Sequence, residues 1–379
     1  MNSVVSSRIT EAREARALSM GELADAIGLT RQSISKYERA IISPSLEVLQ
    51  AMSQKLLFPV DFFYKQDKAL SSASSTLFFR SNSNIPKKVK TACRYQVKWA
   101  DEVKKQLEVY VDFLSQEIPV INRDHSDLSL EDIEELALRV RERWGVSDSP
   151  VNDLIGLLEN NGVIISQFAT NDLCSFKGID AFSSWENGTP YILFNSAQKS
   201  AVRTRFSILH ELGHLLMHSG ITCDESIRRE IIDFADTQAD RFAAAFLLPA
   251  TSFPDDVRGT SLIYFEAIKK KWGAALSTII KRCETLDLLS ENQTNYLKRQ
   301  MTTKKYWRKE PLDDEITLEE PGILKGAILM LIDNRICSRD SFLSSSAMPT
   351  DDLTQICSLP RGFFDGYDNR QKPILKVLE

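Results

Sequence analysis

Apolar positions recur with a helical period along most of the chain, and shift to a strand-like period only between residues 163 and 195. At the N-terminus Leu23, Ala24, Ile27, Ile34, Leu46, Leu49 and Met52 repeat at helical spacing and predict a small core of short helices. Ser19-Met20-Gly21-Glu22 has the form of a capping box and predicts a helix from Leu23 to Ile27. Gly28-Leu29 makes a turn, Thr30 caps a second helix from Arg31 to Arg39, and Ser43-Pro44 opens a third with proline at its first position. Two short helices joined by a glycine turn have the geometry of a helix-turn-helix.

Further along, Gln66 to Ser75 reads as a polar linker. Pro86 to Ile118 reads as one long amphipathic helix, with Val97, Trp99, Val103, Leu107, Tyr110, Val111 and Leu114 on its apolar side. That side is either packing surface or a dimer seam. Helices follow over Leu130 to Trp144 and Leu154 to Asn161, the latter stopped by Gly162, and Val163-Ile164-Ile165 is a strand. Phe182 to Trp185 and Tyr191 to Phe194 form a hairpin around Asn187-Gly188. Tyr264 to Ser290 looks helical, with Lys269-Lys270-Lys271 as a solvated face. Met301 to Arg308 is a basic connector, and Ile323 to Ile332 with Asp351 to Leu359 suggests a small helical C-terminal module.

The chemistry concentrates at Ser207 to His218, which contains H-E-x-x-H. Three of the chain's four histidines fall between 210 and 218. On a helix His210 and His214 lie one turn apart on one face, close enough for both imidazoles to reach one Zn²⁺. Glu211 sits beside the first ligand, placed to take a proton from a water held there. The flanking Phe206, Leu209, Leu212, Leu216 and Met217 put these histidines in apolar surroundings, where an imidazole needs a partner. A third ligand is expected from the alanine-rich helix that runs from Asp233 to Leu248 and is ended by Pro249. Asp236 is the leading candidate, with Asp233 and Glu230 as competitors. Asp240, one turn on, can accept the free N–H of a ligand histidine and fix its tautomer. Ala239, Ala243 and Ala244 let this helix come close to the histidine helix.

H-E-L-G-H-L-L-M-H followed by Q-A-D-R-F-A-A-A-F-L-L-P resembles the ImmA/IrrE-type metallopeptidases, a zincin-like family whose third ligand is usually a glutamate. The match extends upstream through Ile179-Asp180-Ala181-Phe182-Ser183, Pro190 to Asn195 and Arg203 to Ser207. It covers roughly residues 130–255. The family's acid falls on Asp236 and its Asn/Asp on Asp240, so this chain departs by one methylene at the ligand. The strand ahead of the histidine helix often edges the cleft in zincins, where a peptide substrate can add through main-chain hydrogen bonds.

The string L-A-D-A-I-G-L-T-R-Q-S-I-S-K-Y-E, with the later P-S-L-E-V-L, is similar to the Cro/XRE-type DNA-binding domain over residues 6–64. The resemblance implies that Arg31, Gln32 and Lys36 face base edges, while Thr30 and Ser33 position the backbone. Arg suits guanine and Gln suits adenine. Residues 1–65 hold 8 Lys/Arg against 7 Asp/Glu, so the charge there is nearly balanced.

The whole chain of 379 residues carries a net charge of −5, which makes any nucleic-acid affinity local to the first domain. No apolar run approaches the roughly 18 residues of a membrane helix. There is no signal-peptide core, and the six scattered cysteines lack C-x-x-C pairs, so a cytoplasmic location is expected. The expected fold class is mainly α and multidomain. It comprises an all-α helix-turn-helix domain at 1–65, a linker and long helix at 66–125, an α+β zincin-like metallopeptidase domain at 126–255 and a helical C-terminal region at 256–379. The expected function is that of a DNA-binding regulatory zinc metallopeptidase cleaving a specific regulatory protein such as a transcriptional repressor. Its partners would be a double-stranded operator, that protein substrate and, as a homodimer, a second copy. The alternatives are a non-catalytic regulator whose zincin domain is sensor or scaffold, and the antitoxin of a toxin–antitoxin pair.

Overall fold

The computed structural model describes residues 3–66, 77–81, 85–115, 118–121, 125–168, 176, 178–197, 200–221 and 229–365. Apart from Gln66, the expected polar linker lies outside the described residues. The N-terminal helices are α1 (Ser6–Ala15), α2 (Met20–Ala26), α3 (Arg31–Glu38) and α4 (Leu46–Leu56). Ser19 and Glu22 close the capping box on α2, and the Thr30 hydroxyl accepts from the Ser33 N–H at the start of α3. α4 begins later than expected. Ser45 is its cap, Pro44 stays outside, and Leu46 points outward at 58 % exposure rather than joining the core.

β1 (Phe78–Ser81) comes next, a strand that the sequence pattern does not announce, and then α5 (Lys87–Leu107). α5 stops eleven residues short of the expected end. Its buried face, with Val97, Trp99, Val103 and Leu107, runs out there, and Tyr110 and Leu114 are exposed. α6 (Leu130–Arg143) and α7 (Leu154–Asn160) lead to β2 (Ile164–Phe168) and to the hairpin of β3 (Ile179–Glu186) and β4 (Thr189–Asn195). Asn187 and Gly188 both take positive φ, 50° and 78°, as a tight hairpin turn demands.

The sheet order is β1-β3-β4-β2, with β2 parallel to β4 and the other pairs antiparallel. It is a wall between two cores. Ile165, Ala181, Ile192 and Phe194 face α6, α7, α8 (Ala201–Met217) and α9 (Arg229–Leu247). Their neighbours Ile164, Phe182, Tyr191 and Leu193 face the other way, into one cluster with α5 and the N-terminal helices. The C-terminal helices divide between the cores. α10 (Leu262–Trp272), α11 (Leu276–Thr285) and α12 (Glu291–Thr303) join the first. α13 (Ile323–Asp333), α14 (Arg339–Ser346) and α15 (Thr350–Ile356) join the second.

Two C-terminal expectations need correction. The stretch from 264 to 290 that looked helical is two helices, because Gly273 adopts the left-handed conformation (φ 63°) and ends α10. Lys269 is not on a solvated face either. It is fully buried, with Nζ 2.9 Å from Glu310 and 2.6 Å from Asp313.

Candidate metal centre and nucleic-acid interface

α8 carries His210, Glu211 and His214, and α9 carries Asp236 and Asp240. The two helices make close contact where the motif needs it. A Cβ on Gly213 would lie 3.2 Å from the Ala239 Cα and 3.3 Å from the Phe242 ring. Glycine inside the motif and alanine opposite thus set the depth at which the carboxylate meets the imidazoles.

His210 Nε2 and His214 Nε2 stand 3.1 Å apart, and Asp236 Oδ1 lies 3.3 Å from the second and 3.9 Å from the first. Among the described residues this is the group of side chains that converges as metal ligands do. Donors held about 2.0–2.1 Å from a tetrahedral ion sit roughly 3.3 Å from one another, so two edges of this triangle fit and the third is slightly long. The competitor Asp233 is exposed on α9, with its side chain 3.9 Å from Arg229. Glu230 is also exposed.

Both rings are aimed from behind. His210 Nδ1 donates to Asp240 Oδ1 at 2.8 Å. On the other ring, His218 Nε2 donates to Gln238 Oε1 at 2.9 Å, which leaves His218 Nδ1 to accept from His214 Nδ1 at 2.9 Å. With these partners each of the two histidines has its proton on Nδ1 and presents a lone pair at Nε2. A proton or a metal cation between the two Nε2 atoms satisfies that contact. Burial pushes the His214 pKa below its ordinary value, against the opposing pull of Asp236, so the ring is a neutral donor. Glu211 is fully buried, and Ser183 on β3 donates to its Oε2 at 2.6 Å.

Among the N-terminal helices, Arg31, Gln32 and Lys36 are exposed on α3, whose inner face is anchored by Ile34. The Thr30 hydroxyl is engaged as the helix cap and lies 3.0 Å from the Ser33 hydroxyl. Arg31 and Gln32 open this supported helix and Lys36 lies in its last turn, all three accessible, as groove reading requires.

Residues 9–63 match the helix-turn-helix family, and residues 174–284 match the IrrE N-terminal-like domain family. The chain fuses a helix-turn-helix domain to an IrrE N-terminal-like domain. No curated protein matches it. A solved structure titled Mycobacterium tuberculosis transcriptional regulator aligns at 17 % identity over 52 % of this chain and 54 % of that one, with a TM-score of 0.30. The chain thus spans about half of that structure, and so slight a likeness bears on neither fold nor function.

Four side chains around the site escaped sequence reasoning, three of them within the IrrE-like span. His218 had a usable signal, since it continues the four-residue spacing of His210 and His214, whereas Gln238 falls between Asp236 and Asp240 and breaks theirs. Ser183 had none, because only β3 packing on α8 brings it to Glu211. Phe78 lies outside the matched span, yet its ring stacks on His214.

Proposed function

We propose that this DNA-binding regulator is also a zinc-dependent endopeptidase that acts on a specific regulatory protein, such as a transcriptional repressor. The observation that carries the reading is the convergence of His210, His214 and Asp236 beside a buried glutamate. His210 Nε2, His214 Nε2 and an Asp236 oxygen would hold the ion, and the two imidazoles with one carboxylate are a donor set suited to zinc. Zinc, when bound, supplies Lewis acidity that lowers the pKa of a water molecule and polarises a peptide carbonyl.

The chain's own residues do the rest. Glu211 takes the proton of the attacking water and returns it to the departing amine. Ser183 holds the Glu211 carboxylate in one orientation through Oε2. Asp240 and the His218–Gln238 pair keep the ligand rings from turning. Asp236, with a side chain 40 % exposed, borders solvent.

In the helix-turn-helix domain, Arg31, Gln32 and Lys36 would read an operator, with Thr30 and Ser33 at its backbone, and a homodimer would span paired half-sites. A cytoplasmic site of action follows from that role. Purified protein loaded with Zn²⁺ should cleave its cognate repressor, while Glu211→Gln binds zinc and does not cleave. Equal cleavage by both removes Glu211 from the mechanism. His214→Ala should lose zinc, and full zinc content in that variant discards the site. A second reading, in which the domain senses metal without cleaving, draws on the short Asp236 side chain and its 3.9 Å separation from His210.

A further inference from the structure

The outer edge of β3 is taken. β1 lies along it, antiparallel, with Phe78 opposite Ser183 and Phe79 opposite Phe182. Partners directly across a ladder share a face. Ser183 reaches Glu211 on α8, so Phe78 points to α8 as well. Its ring stacks on the His214 imidazole, with centroids 4.6 Å apart and planes 6° from parallel, and stands 6.0 Å from His218. Phe78 is only 7 % exposed. Phe79 faces the opposite side, against Phe182 and Lys90. β1 comes from the stretch between the helix-turn-helix and α5, well before the IrrE-like span begins at residue 174.

A strand edge offers one row of N–H and C=O groups and admits one occupant at a time. Here the occupant is the chain itself, and its aromatic side chain covers the imidazole of a metal-ligand candidate. The strand directly ahead of the histidine helix, β4, lies between β3 and β2 and has no edge to offer, contrary to expectation. We propose that the peptide-binding edge is that of β3, beside Glu211, and that β1 is an internal pseudosubstrate: it fills this edge and keeps the endopeptidase closed until it leaves. This rests on the peptidase reading of the same site. A tethered strand competes at an effective concentration in the millimolar range, so an extended segment arriving in trans is excluded while β1 stays docked. What can displace β1 is another extended segment that offers an aromatic side chain at the place of Phe78.

The test is strand exchange on the full-length chain without metal. The probe is a fluorescein-labelled peptide with the sequence of residues 74–85, followed by anisotropy. Phe78→Ala weakens the internal strand and should bind the peptide at least about tenfold more tightly than the native chain. Phe78→Leu, which keeps apolar bulk in the same place, should fall between them and decides the matter if the alanine variant loses its helical circular dichroism. A peptide with alanine at both phenylalanines should not bind. Equal binding, or none, by the native chain and the folded variants overturns the proposal. The assay needs neither zinc nor turnover, so that failure leaves the peptidase reading untouched. Strand exchange together with a failure of the same chain to take up zinc in a separate titration would instead overturn the peptidase reading and leave β1 as a competitor for the edge.

Discussion

His214 and His218 meet through their Nδ1 atoms, 2.9 Å apart, with Gln238 fixing the direction of the bond from the far side. A histidine pair thus does for one ligand what Asp240 does for the other. Removing the relay should leave the helices intact and disturb the ligand ring. His218→Ala is expected to weaken zinc binding by roughly 10–100-fold, the usual cost of losing a ligand's supporting partner. Gln238→Leu should act in the same direction, because His218 then loses the acceptor that sets its tautomer. Competition with a fluorescent zinc chelator gives the affinities, and an unchanged value in both variants refutes the relay.

Asp236 stands off from His210 by 3.9 Å, longer than its 3.3 Å separation from His214. Asp236→Glu supplies one more methylene from the same exposed side of α9. Zinc affinity in this variant should equal or exceed the native value, while Asp236→Ala should fall by more than about tenfold. A native-like affinity in Asp236→Ala would take the third ligand away from this position.

Gly213 lies where α8 and α9 touch, 3.2 Å from backbone for any added Cβ. Gly213→Ala should lower stability by about 1–3 kcal/mol through overpacking, and move the histidines away from Asp236. Chemical denaturation measures the first effect and zinc affinity the second. Loss of stability with full affinity would mean that the helices give way elsewhere.

Glu159, buried at the end of α7, accepts the backbone N–H groups of Gly322 and Ile323 at 3.0–3.2 Å. Burial lifts its pKa from 4.5 to about 7, against the pull of those N–H groups. Below pH 4.5 the carboxyl is protonated whether folded or not, and above 7 it is ionised in both states. In between, the folded chain keeps a proton that the unfolded chain has lost, so this group's contribution makes stability fall as pH rises through that window. Glu159→Gln should flatten the melting temperature between pH 5 and 7.5. An identical slope in the variant places the titration elsewhere.

The sequence disclosed what depends on spacing along one element. His210 and His214 share a helix face by count alone, the capping box at Ser19 and Glu22 forms as written, and Asn187-Gly188 makes its hairpin. What depends on long-range packing stayed hidden. Lys269 looked like part of a wet run of three lysines, but Glu310 and Asp313, some forty residues on, neutralise it inside the core. Phe78 and Phe79 read as two apolar residues after a serine-rich stretch, because the edge that makes them a strand is built a hundred residues later. The length of α5 followed its buried face rather than its helix-favouring residues.

Trp99 on α5 donates to Glu11 on α1 at 2.7 Å, Phe58 packs edge-on to the same indole, and Arg16 reaches Asp352 at 2.6 Å. The DNA-reading end is therefore not a bead on a string. Severing it after residue 66 would strip the indole of its cover and leave a guanidinium and a carboxylate without each other. Swapping that reader for another would mean rebuilding the surface it rests on.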